Sequence, residues 1–132
     1  MEEMHKEKDS IIVGAVISEF NPFHNGHEYC IKKLREAGAT HIVCIMSGCF
    51  VQRGEAACLT PYARAEMAVE SGADLVVELP VCYSLSSAEN FAMGSVAIAE
   101  FSGCVDLLGF GAECSEEEFK KAYDIILYAT EN

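Results

Sequence analysis

At 132 residues and 51% apolar composition, the chain has room for one domain and enough apolar side chain to build its core. A net charge of −12, with no cluster of Lys and Arg, excludes a domain that grips a phosphate backbone by itself. No run approaches the roughly 18 consecutive apolar residues of a membrane span, and residues 1–10 are charged rather than a basic head leading into an apolar stretch, so a soluble, cytoplasmic chain with no membrane partner is expected.

Residues 1–10 read as a polar leader, and the folded domain is expected over 11–132. Residues 11–17 form a β-branched run suited to a buried strand; 41–46, 75–79 and 105–110 repeat the pattern, each short, apolar on both faces and bounded by Gly, Pro or polar residues. Between them lie helical patterns. Residues 28–37 place Ile31 and Leu34 on one face, 61–71 open with Pro61, and 87–102 space Ala88, Phe91, Ala92, Val96 and Ala99 for burial. Gly38, Gly72 and Gly103 follow these helices as C-terminal caps, and Ser115 with Glu118 reads as a capping box opening a last helix over 115–129.

Strands alternating with helices require an α/β fold, a doubly wound parallel sheet with helices on both faces. Such sheets bind ligands outside the C-terminal ends of their strands, so the loops after Ile17, Met46, Leu79 and Phe110 are where chemistry belongs. The seven cysteines (Cys30, Cys44, Cys49, Cys58, Cys82, Cys104 and Cys114) are odd in number and contain no Cys-x-x-Cys pair. Set mostly among apolar neighbours, they read as small core residues in a reducing compartment, not as metal ligands, and no resident metal site is expected.

The first strand runs into Ser18-Glu-Phe-Asn-Pro-Phe-His-Asn-Gly-His27 and then directly into a helix. Free N–H groups at that helix start, and the positive end of its dipole, suit an anion, with Gly26 removing a side chain where a phosphate approaches. His24 and His27 are candidate donors to phosphate oxygens as charge builds during displacement at phosphorus; removing one such donor costs about 3 kcal/mol of barrier. The alternative for both is helix capping beside a tight turn. Glu19 and Asn21 are suited to orienting the loop through backbone N–H groups.

His24-Asn-Gly-His27 resembles the His-x-Gly-His signature of the nucleotidyltransferase superfamily that includes class I aminoacyl-tRNA synthetases and coenzyme-precursor adenylyltransferases. Together with Met46-Ser-Gly-Cys-Phe-Val-Gln-Arg-Gly-Glu55, Ala63-Arg-Ala-Glu-Met-Ala68 and Asp74-Leu-Val-Val-Glu-Leu-Pro80, the motif is similar to the tRNA(Met) cytidine acetate ligases. The resemblance implies a Rossmann-like nucleotidyltransferase fold, ATP as substrate with Mg²⁺, acetate activated to acetyl-adenylate with release of pyrophosphate, and acetylation of the wobble cytidine of elongator tRNA(Met). It also implies an ATP-contacting stretch at Ile17, Ser18, Glu19, Phe20, Asn21, Pro22, Phe23, His24, Asn25, Gly26, His27, Glu28, Tyr29 and Cys30, with a later contact at Gly111. The chain departs from the family pattern at Cys49, where asparagine is usual, and at Ala56, where proline is usual. The family's further ATP contacts, an asparagine and an arginine, fall beyond Asn132, and a basic second signature is absent.

Arg53 is a candidate for pairing with a phosphate or the acetate carboxylate, against a local ion pair in an exposed loop. Arg64 and Glu66 are explained by a salt bridge or by contact with the preceding loop; Glu78 is suited to holding Mg²⁺ or a substrate hydroxyl, or to capping a neighbouring helix. Two alternatives stay open: a small adenylyltransferase for a phosphorylated coenzyme precursor, whose basic patch would have to come from Lys32, Lys33, Arg35 and Arg53, and a nucleotide-binding chain without turnover.

Overall fold

The computed structural model describes residues 10–111 and Glu117. The leader up to residue 9, the helix expected over 115–129 and Cys114 lie outside the described residues, Glu117 excepted. The elements are β1 (Val13–Ser18), α1 (Asn25–Glu36), β2 (His41–Ser47), a 3₁₀ turn (Gln52–Gly54), α2 (Pro61–Glu70), β3 (Leu75–Leu79), α3 (Val81–Ser84), α4 (Ala88–Phe101) and β4 (Leu107–Gly109). The four strands are parallel in the order β3-β2-β1-β4, the doubly wound α/β arrangement expected.

Alternation along the strands sends side chains to two cores. Val16, Ile42, Cys44 and Met46 meet Ile31 and Leu34 of α1 and Ala68 of α2, while Ile45 and Leu79 meet Phe91 and Ala99 of α4 on the other face. Helices on both faces are thus dictated by the sheet, which has no polar face to leave in water. The expected burial on both faces holds for β1 and β2 but fails at the edges: Leu75 is 53% exposed and Leu108 44%, because β3 and β4 each have only one neighbour among the described strands.

Gly38, Gly72 and Gly103 adopt φ of +105°, +112° and +68° and end α1, α2 and α4 as expected, a left-handed turn that a side chain would strain. The buried face of α4 differs from the expected one. Phe91, Gly94, Ser95 and Ala99 face inward, while Ala88, Ala92 and Val96 are exposed. Tyr83 accounts for this, since a Cβ on Gly94 would sit 2.6 Å from its ring, so the small residues mark the packed side.

The thiols also depart from expectation. Cys44 is buried and Cys30 half-buried, but Cys49, Cys58, Cys82 and Cys104 are exposed, all free. They sit in loops, in a turn or on the one-turn α3, where apolar sequence neighbours do not bring burial. Among the described residues, no three His, Cys, Asp or Glu side chains gather as a metal site requires, and no helix is long and apolar enough to cross a membrane.

Two features place α1. Leu34 packs over Gly14 of β1 and Gly109 of β4; a Cβ at Gly109 would lie 2.9 Å from Leu34 Cδ1 and 3.2 Å from Cys30 Sγ. The helix therefore crosses β1 and β4 closely. At the opposite end of the sheet, Asp106 accepts from Val13 N–H at 2.9 Å, and Asp74 accepts from Ile42 N–H and from Arg35, both at 2.7 Å. Burial alone would raise the Asp74 pKa, but these two donors hold its carboxyl below the usual range.

Candidate functional site

The chain winds outward from β1 to β2 and β3, then returns to place β4 on the other side of β1. That reversal opens a crevice at the C-terminal ends of β1 and β4. A cavity of about 400 Å³ occupies it, lined by Val16, Ile17 and Ser18 of β1, by His24, Gly26, His27 and Cys30 at the start of α1, and by Phe110 and Gly111 after β4. A second cavity of about 240 Å³ adjoins it, sharing Ser18, His24 and His27 and adding Glu19, Phe20, Asn21 and Pro22.

The His-x-Gly-His segment is the first turn of α1, which begins at Asn25, not at residue 28. The earlier start comes from the cap. His24 is the N-cap, its Nδ1 accepting from Gly26 N–H at 3.0 Å, and His27 at N3 returns the contact, its Nδ1 accepting from His24 N–H at 3.2 Å. Two histidines thus perform what Ser or Thr with Glu usually performs. Because each Nδ1 accepts, each neutral ring carries its proton on Nε2. His27 Nε2 lies 2.9 Å from Ser18 Oγ, while no hydrogen bond to His24 Nε2 forms among the described residues.

The rings stack, with centroids 3.8 Å apart and planes at 21°, and Phe20 and Phe23 pack around His27 at 4.8 and 5.4 Å. Gly26 serves this stack directly: a Cβ there would lie 2.9 Å from His24 Cε1, so the space it clears holds the imidazole. Capping and ligand binding are therefore compatible, because capping uses Nδ1 and leaves Nε2 of His24, a residue that lines the cavity, without a hydrogen bond among the described residues.

The loop that carries these residues is fastened from behind. Glu19 Oε1 accepts from Gln52 N–H at 2.9 Å and Asn21 Oδ1 from Cys58 N–H at 2.8 Å, so both bind backbone N–H groups as expected, though those of the β2–α2 loop. Arg64 completes the fastening. Fully buried on α2, it donates to Glu19 O at 2.7 Å, Ser47 O at 3.0 Å, Leu59 O at 3.1 Å and Gly48 O. Phe20 is held at φ +48°, a conformation costing a non-glycine residue about 1–2 kcal/mol, by this clamp on its neighbour and by its own complete burial.

The family model described as HIGH Nucleotidyl Transferase matches residues 12–132. The chain belongs to this family. Within it, the tRNA(Met) cytidine acetate ligase of Halothermothrix orenii is 45% identical over 114 residues, covering 86% of this chain and 27% of the relative. That of Acetivibrio thermocellus is 48% identical over 103 residues, covering 77% and 25%. The crystal structure of Thermotoga maritima TmcAL bound with alpha-thio ATP superposes with a TM-score of 0.79 at 40% identity, covering 92% of this chain and 29% of that one. The chain thus spans about a quarter of the length of the curated relatives it matches.

In this member of the HIGH Nucleotidyl Transferase family, the fold brings Ile17, Ser18, His24, Gly26, His27, Cys30 and Gly111 together around the larger cavity. Phe23 packs behind His27; Asn25 is exposed, Glu28 pairs with Lys32 at 3.8 Å, and Tyr29 lies under Lys33 Nζ at 5.4 Å. Arg53 is exposed at φ +65°, in neither of these two cavities and, among the described residues, without the local ion pair that was its alternative. Glu78 does not cap α3, whose N-cap Pro80 has no side-chain bond; it lies over Gly48 instead. Arg64 binds loop carbonyls and not Glu66, the second of the two explanations offered for it. Val16 and Phe110 line the cavity without having been singled out, since apolar residues at strand ends look like core.

Burial first and the neighbouring His24 second push the pKa of His27 from 6.5 down to about 4. Between those values the unfolded chain binds this proton and the folded chain does not, so stability is full above pH 6.5 and falls as pH drops toward 4. The thermal unfolding midpoint is expected to fall between about pH 7 and pH 5, and less steeply in His27→Gln. An identical slope in the variant would remove His27 as the cause.

Proposed function

We propose that this chain binds ATP in the crevice between β1 and β4 and supplies the nucleotide-binding part of an enzyme that activates acetate and acetylates the wobble cytidine of elongator tRNA(Met). The observation that carries the reading is His24, which lines a cavity at the sheet's switch point at the N-terminus of α1 and whose Nε2 has no hydrogen-bond partner among the described residues. Similarity to a protein solved with an ATP analogue, and to relatives named for acetate ligation, supports it.

The triphosphate lies against the first turn of α1, where free N–H groups and the helix dipole favour negative charge. An acetate oxygen attacks the α-phosphorus in line, forming acetyl-adenylate as pyrophosphate leaves with its bridging oxygen. Donors already in place stabilise the added charge without reorganising. The cytidine amine then takes the acetyl group and AMP departs. Mg²⁺ enters as the counter-ion of ATP, since the described residues gather no metal site. With a net charge of −12, the chain requires a basic surface from elsewhere to hold tRNA.

The test is exchange of labelled pyrophosphate into ATP by the purified chain. Exchange that depends on acetate is expected. Exchange driven instead by a phosphorylated coenzyme precursor would contradict the acetate reading and favour a small adenylyltransferase.

A further inference from the structure

Two of the exposed thiols share one cavity. Cys49, just after β2, and Cys58, just before α2, both line a cavity of about 410 Å³ beside the loop that joins these elements. The loop folds back on itself: Phe50 and Ala56 form an antiparallel bridge, and Ala57 N–H donates to Cys49 O at 2.9 Å, so Cys58 sits one residue past the position opposite Cys49. Opposite residues in such a pair have Cα atoms roughly 4.5–5.5 Å apart, and a disulfide spans roughly 4.4–6.8 Å, which leaves a pair offset by one residue within its range. The chain bends at Cys58 and Leu59, which frees Cys58 from the alternation of a strand. Arg64 grips both sides of the pair. Its Nη2 donates to Gly48 O, the carbonyl before Cys49, and its Nε at 3.1 Å to Leu59 O, the carbonyl after Cys58. Both thiols interact electrostatically with this guanidinium, whose rigid plane fixes the separation of the two backbone segments.

The other thiols are placed differently. Cys44 lies near Cys30 but is buried, and burial pushes its thiol up to about 12, which shuts it off from exchange. Cys82 and Cys104 are exposed, and neither lines the cavity of Cys49 and Cys58. We propose that Cys49 and Cys58 form a redox-responsive dithiol, which a low-molecular-weight disulfide converts to an internal disulfide that clips together the two ends of the β2–α2 loop. One cysteine, as thiolate, attacks a sulfur of the small disulfide; that S–S bond breaks and a small thiol leaves. The other cysteine gives its proton to water and attacks the protein sulfur of the mixed disulfide, expelling the second small thiol. The protein thus loses two electrons and two protons, and the small disulfide gains them as two thiols. The clip closes where the β1–α1 loop is fastened, since Gln52 N–H, between the two cysteines, donates to Glu19 and Cys58 N–H donates to Asn21. Oxidation therefore locks the strap behind the His-x-Gly-His loop, and reduction releases it. A reversible link of this kind is the form a disulfide takes in a reducing compartment.

The experiment is incubation of the folded full chain with oxidised glutathione, alkylation of the thiols that stay free, and peptide mass mapping without reduction. The expected product joins the peptides of Cys49 and Cys58 within one chain, with loss of two hydrogen atoms, while Cys82 and Cys104 carry glutathione. Glutathione retained at Cys49 or Cys58 is expected to be about tenfold below that at Cys82 and Cys104, because a neighbouring thiol at high effective concentration displaces it. In Cys49→Ser and in Cys58→Ser the remaining thiol of the pair keeps its glutathione, having no neighbour to remove it. Cys49 and Cys58 carrying glutathione as fully as Cys82 and Cys104 in the unmutated chain would overturn the proposal. So would two thiols that stay free while those controls react, or a link that forms only between chains.

Discussion

Replacing Arg64 by methionine is expected to cost about 3–5 kcal/mol of folding free energy, the range for removing one member of a buried, fully engaged charged group. The guanidinium joins three segments distant in sequence: Glu19 from the β1–α1 loop, Ser47 and Gly48 from the end of β2, and Leu59 from the start of α2. Methionine approximates its volume but strands four carbonyl oxygens away from water. Lysine fails for a different reason. Its ammonium is a compact charge on a flexible stem and lacks the planar fork that reaches acceptors on several sides, so Arg64→Lys is expected to recover less than half of the loss. Urea unfolding of both variants beside the parent chain measures this, and a midpoint shift worth less than about 1 kcal/mol in Arg64→Met would show that the clamp is dispensable. Against a total stability of about 5–15 kcal/mol, the expected loss endangers the fold, and the β1–α1 loop goes first because Arg64 holds it through Glu19.

The second large effect separates capping from ligand binding at His24. Alanine removes both functions at once, losing about 1 kcal/mol of helix stability along with any phosphate contact. Asparagine is among the best N-cap residues, so His24→Asn keeps the first turn of α1 while removing Nε2–H from the cavity. A thermal midpoint close to that of the parent, with ATP affinity lower by about ten- to a hundredfold, is expected of a donor to a charged oxygen. If asparagine preserved affinity and alanine did not, His24 would be a cap alone.

The residues themselves explain how far sequence reasoning reached. Runs such as Ile42-Val-Cys-Ile-Met46 announce buried strands because no polar side chain interrupts them, and glycines at 38, 72 and 103 announce helix ends because only glycine adopts their φ without strain. Hydropathy misled on α4. Its inward face is marked by the small residues Gly94 and Ser95, which a search for apolar spacing passes over in favour of Ala92 and Val96. The one-turn α3 has no periodicity to detect.

At the site, the position of the His-x-Gly-His motif between strand and helix was legible, and so was its crevice. The division of its nitrogens was not. A capping box built from two histidines has no familiar composition, and the Ser18–His27 contact depends on the path of the chain around Phe20. For Arg64, contact with the preceding loop was foreseen, but its reach to Glu19 in the β1–α1 loop was hidden. An arginine whose partners are backbone carbonyls has no oppositely charged residue in the sequence to point to it.

The most direct test of the nucleotide crevice is an amide chemical-shift map of the ¹⁵N-labelled chain titrated with MgATP. The expected result is a set of large shifts at Ser18, Gly26, His27 and Gly111, with little change at Thr40, Asp74 and Asp106 at the other end of the sheet. Shifts confined to that other end, or none at saturating ATP, would contradict the placement of the nucleotide at the β1–β4 switch.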